Sequence, residues 1–142
     1  MSETLKLSLL SPERKIFENM DVTSVTVTGA EGALQLLPGH ADFVSTLETG
    51  PFSYTPVVSN EDQETRGVIS SGFVEVRAGR VIVSAETLEF SQEIDLDRAK
   101  AAQKKAEQAL SDAQIDEVKF HKYQLKLQRA LIRQQEAGRA TQ

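Results

Sequence analysis

Two histidines, His40 and His121, and no cysteine are all that the 142 residues offer for imidazole or thiolate chemistry. With so few imidazoles no imidazole cluster can be assembled, and cysteine-bearing metal sites and disulfides are excluded. The groups suited to acid or base work are Glu31, His40 and Glu86. They bring no nucleophile, base and orienter together, so a small enzyme is the weakest functional reading. A glycine pair, Gly29-x-x-Gly32, lacks the Gly-Lys-Ser/Thr ending with which a P-loop cradles phosphate. The clearest chemical pattern is a row of cations, Lys119, Lys122, Lys126, Arg129 and Arg133, at spacings of 3, 4, 3 and 4. On a helix such spacings form one stripe.

That stripe is flanked on both sides by apolar side chains. Phe120, Tyr123, Leu127, Ala130 and Leu131 make a wide face, and Val118, Leu125 and Ile132 a narrower one. An ordinary surface helix has one apolar and one polar face. Two readings follow: a solvated face whose lysines snorkel over a neighbour, or a surface that docks on an acidic partner. Exposed ion pairs contribute only ~0.2–1 kcal/mol each. Five of them suffice to shift a weakly docked helix and no more.

The stripe requires a helix, and composition places it. All four prolines (Pro12, Pro38, Pro51, Pro56) and seven of the eight glycines lie before residue 80; neither type occurs between Gly79 and Gly138. Because Gly and Pro punctuate hairpins and weaken helices, residues 1–86 are expected to be strands and turns, and residues 87–142 helical. Charge divides in parallel. Residues 1–86 hold 12 acidic and 6 basic side chains, a net of −6; residues 87–142 hold 9 and 10, a net of +1. A basic arm follows an acidic body.

In the first part apolar residues alternate as half-buried strands do. Leu5, Leu7 and Leu9 share a face; Thr23, Val25 and Val27 oppose Val22, Ser24 and Thr26; Phe73, Glu75 and Arg77 oppose Val74 and Val76. Short runs at 34–37, 43–47, 51–58, 66–70 and 80–85 follow turn signals about every 8–12 residues. The expectation is an antiparallel sandwich or flattened barrel. Pro38-Gly39 suits a type II turn and Ala78-Gly79 another tight connection.

After Glu93 the period becomes helical. Asp95 is an N-cap, Asp97 adds charge to the first turn, and Ala99, Ala102, Ala106, Ala109, Leu110 and Ala113 form a seam of small residues. Small residues admit a partner helix closely. A break near 111–114 introduces a second helix over 115–137. Together they make an antiparallel hairpin. The fold class is α+β.

A net charge of −5 argues against a nucleic-acid binder, and no stretch of about 18 apolar residues is present to span a bilayer. Met1-Ser2-Glu3 resembles neither a signal nor an import sequence, so a cytosolic location is expected.

The run Val25-Thr26-Val27-Thr28-Gly29-Ala30-Glu31-Gly32-Ala33-Leu34-Gln35-Leu36-Leu37-Pro38-Gly39-His40-Ala41 resembles the glycine turn and Leu-Pro-Gly-His-Ala signature of the epsilon subunit of F-type ATP synthases. Three more matches follow the family's order: Leu9-Leu10-Ser11-Pro12-Glu13 with Ile16-Phe17, then Ser71-Gly72-Phe73, then Ile94-Asp95-Leu96-Asp97-Arg98-Ala99. The resemblance covers essentially the whole chain. It implies a ten-stranded sandwich, residues 1–86, carrying gamma and c-ring contacts, with a regulatory hairpin over 87–142. It implies a non-catalytic rotor subunit at the cytoplasmic face of the bacterial inner membrane. Partners would be gamma, the c-ring and the alpha and beta subunits, and the hairpin would restrain ATP hydrolysis, its stripe meeting acidic loops of beta. Gly29, Glu31, Gly32, Pro38, Gly39 and His40 fall at the family's subunit-interface positions. For His40 a local structural hydrogen bond is the alternative reading.

No cofactor is required under this resemblance, but a regulatory ATP is implied by Glu89, Ile94, Asp95, Arg98 and Ala99 together with Arg129 and Arg133. Asp95 would accept from adenine or ribose, the arginines would hold phosphate, and Ala99 would leave room for the ring. The alternative is that Asp95 only caps a helix and Arg98 pairs with a carboxylate. Members commonly carry an acidic residue at Ala33, Gly at Gln35, Pro at Asp42, Gly at Ser71 and Arg at Lys105. Lysine at the last position forfeits bidentate phosphate contact. A different class remains: a stand-alone adaptor whose basic helix docks on an acidic protein.

Overall fold

The computed structural model describes residues 4–57 and 63–140, arranged as two compact units, Met1–Phe90 and Ser91–Gln142. The first unit contains seven strands among the described residues: β1 (Leu5–Leu10), β2 (Lys15–Gly29), β3 (Gly32–Leu36), β4 (Phe43–Leu47), β5 (Gly50–Pro56), β6 (Thr65–Arg77) and β7 (Arg80–Phe90). The second contains a short 3-10 turn, η1 (Ser91–Glu93), then α1 (Leu96–Leu110) and α2 (Glu117–Ala140). Of the sequence-expected residues, Met1–Glu3 and Val58 lie outside the described ones.

Two long strands explain why seven strands do the work of the ten expected. One edge of β2 pairs first with β1 and then with β3, while its other edge takes β5. One edge of β6 likewise pairs with β5 and then β4. The runs 66–70 and 73–77 are therefore one continuous strand. Hydrogen bonding closes around β1, β7, β6, β5 and β2, with β3 on β2 and β4 on β6. A closed circuit leaves few unpaired edges to aggregate.

One pairing departs from the antiparallel expectation: β1 and β7 run parallel, Lys6 opposite Arg80 through Leu10 opposite Ser84. Parallel neighbours need a long crossover, and here the rest of the unit is the crossover. Local sequence signals reveal hairpins, not a first strand meeting a last one.

The core is the inner face of these strands. Leu5, Leu7 and Leu9, Val25 and Val27, and Val74 and Val76 are buried with Phe52, Tyr54, Ile69, Val81 and Val83. Val22 is a correction. It was expected to oppose Val25, yet both are buried and Thr23 is exposed. A register shift between Val22 and Ser24 against β5 adds one residue, and one extra residue reverses the facing of everything before it. Strand β7 also continues to Phe90, four residues past the expected division at 86, with Leu88 in the core and Phe90 against Phe52 at 6.0 Å between ring centres.

In the second unit the Asp95 carboxylate accepts the Arg98 N–H at 3.2 Å, the N-cap expected of it. Ala99 and Ala106 of the seam are buried, Ala102, Ala109 and Leu110 are half-buried, and Ala113 lies past the helix end. Helix α2 presents Tyr123, Leu127, Ala130, Gln134 and Ala137 at alternating spacings of 4 and 3, all buried or half-buried. Phe120 and Leu131, assigned to that face from sequence, flank it and stay 41% and 46% exposed.

Candidate functional site

The candidate residues fall into three groups, each set by its own local geometry. The β2–β3 turn presents Glu31 in solvent between Gly29 and Gly32. Gly32 has φ 119°, a region closed to most side chains, whereas Gly29 is a buried ladder partner. At the other end of β3, Gly39 adopts φ 88° and the His40 N–H donates to the Leu37 carbonyl at 3.1 Å, the type II turn that Pro38-Gly39 foreshadows. His40 is exposed, its Nδ1 lies 2.8 Å from the Ala41 carbonyl, and its ring centre is 5.0 Å from that of Phe43. The six interface candidates thus occupy opposite ends of β3. Two surfaces are offered, not one.

Departures from the family pattern are accommodated. Asp42 accepts the Ala78 N–H at 2.9 Å, a contact proline could not make. Gln35 sits in a regular strand opposite Thr26 without positive φ, so glycine's freedom is not needed there.

The second group lies in the helical unit, Glu89 excepted. Glu89 belongs to β7 in the first unit, opposite Val68. Asp95 is the N-cap of α1, with Arg98 and Ala99 in the turn that follows; Gln134, next to Arg133, reaches the Ala99 carbonyl with its Nε2 at 3.5 Å. The α1 N-terminus and the last third of α2 therefore share the open end of the hairpin. Ala99 is fully buried there, so its small side chain serves helix packing. Ile94 is half-buried and its N–H donates to the Ser91 carbonyl at 3.3 Å.

The third group is the stripe. Lys119, Lys122 and Lys126 are exposed, and Arg129 and Arg133 are half-buried. The ammonium groups of Lys122 and Lys126 stand 5.9 and 5.3 Å from the Tyr123 ring centre, a cation–π arrangement that holds two charges near one aromatic. Beside the stripe Val118 and Leu125 are 80% and 48% exposed. An apolar flank is thus open to solvent, as the double-walled pattern anticipates.

Glu136 is the residue sequence reasoning missed. Its side chain is 1% exposed and accepts from Ser91 Oγ at 3.4 Å. A signal was available: it is the only acidic residue among six basic ones in 119–142, and it follows Arg133 by three. Glu31, His40 and Glu86 sit in a turn, a loop and strand β7 respectively. No helix among the described residues is long and apolar enough to cross a membrane.

A closed β unit with candidate residues in the loops at both ends of β3 is followed by a helical hairpin that carries an exposed row of lysines. Comparison with known proteins makes this specific. The family model for the ATP synthase delta/epsilon chain β-sandwich domain matches residues 4–91, and that for the long alpha-helix domain of the same chain matches residues 92–138. The chain belongs to the ATP synthase delta/epsilon chain family, and it is a non-catalytic chain of that complex. It is 40% identical over 140 residues to the ATP synthase epsilon chain of Trichlorobacter lovleyi, covering 99% of this chain and 98% of that one. The epsilon chain of Geobacter metallireducens is 39% identical over 141 residues, with 99% of each covered. A chain of the Euglena gracilis mitochondrial ATP synthase (OSCP/F1/c-ring) superposes with TM-score 0.82 at 22% identity, covering 97% of this chain and 82% of that one. One from the Tetrahymena thermophila central stalk and c-ring gives 0.66 at 14%, covering 92% and 94%. The last two establish likeness of fold. Full-length agreement with chains of one assembly replaces the stand-alone adaptor reading.

Proposed function

We propose that this chain is the epsilon-type central-stalk subunit of a bacterial F-type ATP synthase. Its β unit binds gamma and the c-ring and helps couple proton-driven rotation to ATP synthesis in the alpha and beta subunits. The observation that carries this reading is the end-to-end match to bacterial epsilon chains, with both domains in the same order. Residence at the cytoplasmic face of the inner membrane, peripheral and held through the complex, is part of the proposal. Co-purification with gamma and the c-ring tests it; recovery of the chain free of both rejects it.

The hairpin supplies regulation. In a raised position its stripe, Lys119, Lys122, Lys126, Arg129 and Arg133, meets acidic surface on the catalytic subunits and restrains hydrolysis. Regulatory ATP, held through Glu89, Ile94, Asp95, Arg98, Ala99, Arg129 and Arg133, would favour the compact form. Ligand at about 100 times its dissociation constant stabilises the binding form by roughly 2.7 kcal/mol. Removing residues 91–142 should raise hydrolysis while leaving assembly intact. Unchanged hydrolysis counts against the regulatory role.

A further inference from the structure

The helical hairpin closes on little apolar surface. Among the described residues its fully packed apolar side chains are four alanines, Ala99, Ala106, Ala130 and Ala137; Tyr123 and Leu127 are half-buried, while Val118, Phe120, Leu125 and Leu131 are left 41–80% exposed. Apolar burial therefore holds the pair weakly, since a methyl group removes little area from water. Polar contacts concentrate at the open end instead. Gln134 Nε2 donates to Gln103 Oε1 at 2.6 Å and to the Ala99 carbonyl at 3.5 Å. Two residues on, Glu136 is 1% exposed and Ser91, from η1, is 5% exposed with its Oγ donating to the carboxylate.

A carboxylate taken out of water is tolerated only while polar neighbours surround it. In an opened hairpin the same group is fully hydrated. Glu136 is thus satisfied in both states, and the closed one persists only while η1 and α2 fit together. Such a contact has the character of a switch, in contrast to an apolar core that penalises opening at every residue.

We propose that Glu136 and Ser91 form a latch that fixes the last third of α2 to η1, and that the hairpin opens from this end. Opening there releases the α2 segment bearing Arg129 and Arg133 first. The inference rests on reading the hairpin as the movable regulatory part.

The chain has no cysteine, so Gln92→Cys with Gln128→Cys, both exposed positions, allows clean spin labelling of the full chain. In the otherwise native sequence one short interspin distance is expected. Glu136→Ala should increase the population at longer distances about tenfold, the loss expected when a buried hydrogen-bonded partner is removed, and Glu136→Gln should remain mostly closed. An unshifted distribution in Glu136→Ala overturns the latch. If that variant loses its helical circular dichroism, Ser91→Ala decides: amide exchange at residues 92–94 must accelerate, and unchanged exchange overturns the proposal. The same variants are assayed for hydrolysis after reconstitution. A shifted distance with unaltered hydrolysis upholds the latch and counts against regulation; an unshifted distance overturns the latch alone.

Discussion

The Asp42 carboxylate and the Ala78 backbone N–H meet at 2.9 Å, tying the loop before β4 to the β6–β7 turn across 36 residues. Ala78 and Gly79 have φ of 51° and 77°, both positive, as the first and second central residues of a type I′ hairpin turn require. Alanine in the left-handed region costs about 1–2 kcal/mol relative to glycine. Ala78→Gly should therefore stabilise the β unit by about 1 kcal/mol in urea unfolding, and Asp42→Ala should destabilise it by a similar amount. A neutral Ala78→Gly substitution would show that the turn carries no such strain.

Much of this arrangement was legible in the sequence because local rules govern it. Pro38-Gly39 fixes its turn, Asp95 its cap, and the leucines at 5, 7 and 9 their inward face. Three features escaped for a common physical reason: they depend on contacts between distant segments. The parallel β1–β7 pair joins residues about 75 positions apart, since Lys6 lies opposite Arg80. The Val22 shift depends on how β2 meets β5, and the Glu136 contact on how α2 meets η1. Of the candidate site, the stripe was readable from its spacing, but the separation of Glu31 from His40 required the hairpin geometry of β3.

Gly72 lies at the middle of the β6–β7 ladder opposite Ala85, where an added Cβ would collide with the Ser84 carbonyl and sit 2.8 Å from Ala85 Cα. Both obstacles are backbone, so no side chain can swing aside. Gly72→Ala should cost about 3 kcal/mol, at the upper end for overpacking. Thermal unfolding measures it; a loss below about 1 kcal/mol would mean the two strands separate easily at this point.

Tyr54 is buried, and burial raises its phenol above the ordinary value of 10.0, partly offset by a hydrogen bond with Thr65. The folded protein thus holds this proton more tightly than the unfolded chain. The resulting stability is complete below pH 10 and is lost as pH rises from 10 through the raised folded value. Tyr54→Phe should remove that part of the alkaline decline. The check is the difference between the two stability profiles above pH 10. Parallel profiles would contradict it.

Asp95 caps α1, and the proposed ATP site would give it a second, separable role. As a cap it accepts the Arg98 N–H, and Asp95→Ala should cost the hairpin about 1 kcal/mol. Asparagine caps nearly as well yet removes the charge. In the proposed ATP site, Asp95→Asn should therefore leave the helical melting temperature nearly unchanged while weakening ATP binding measured by calorimetry. Equal ATP affinity in Asp95→Asn and the native chain would confine Asp95 to its capping role.

The stripe makes a salt-dependent prediction. Lys119, Lys122 and Lys126 are exposed, so the proposed attraction to acidic surface would be screened once ionic strength shortens the Debye length to about 8 Å near 0.15 M. Restraint of hydrolysis by the hairpin should weaken as salt rises from 0.02 to about 0.3 M, and Lys119→Glu with Lys122→Glu and Lys126→Glu should weaken it even at low salt. Two lysines flank the Tyr123 ring, so Tyr123→Leu offers a contrast: it keeps the charges and loses only the aromatic partner. If restraint is electrostatic, the triple reversal abolishes most of it and Tyr123→Leu removes only a small part. The reverse order would assign the docking to contact through the Tyr123 side chain, and hydrolysis assays at high salt would then show restraint undiminished.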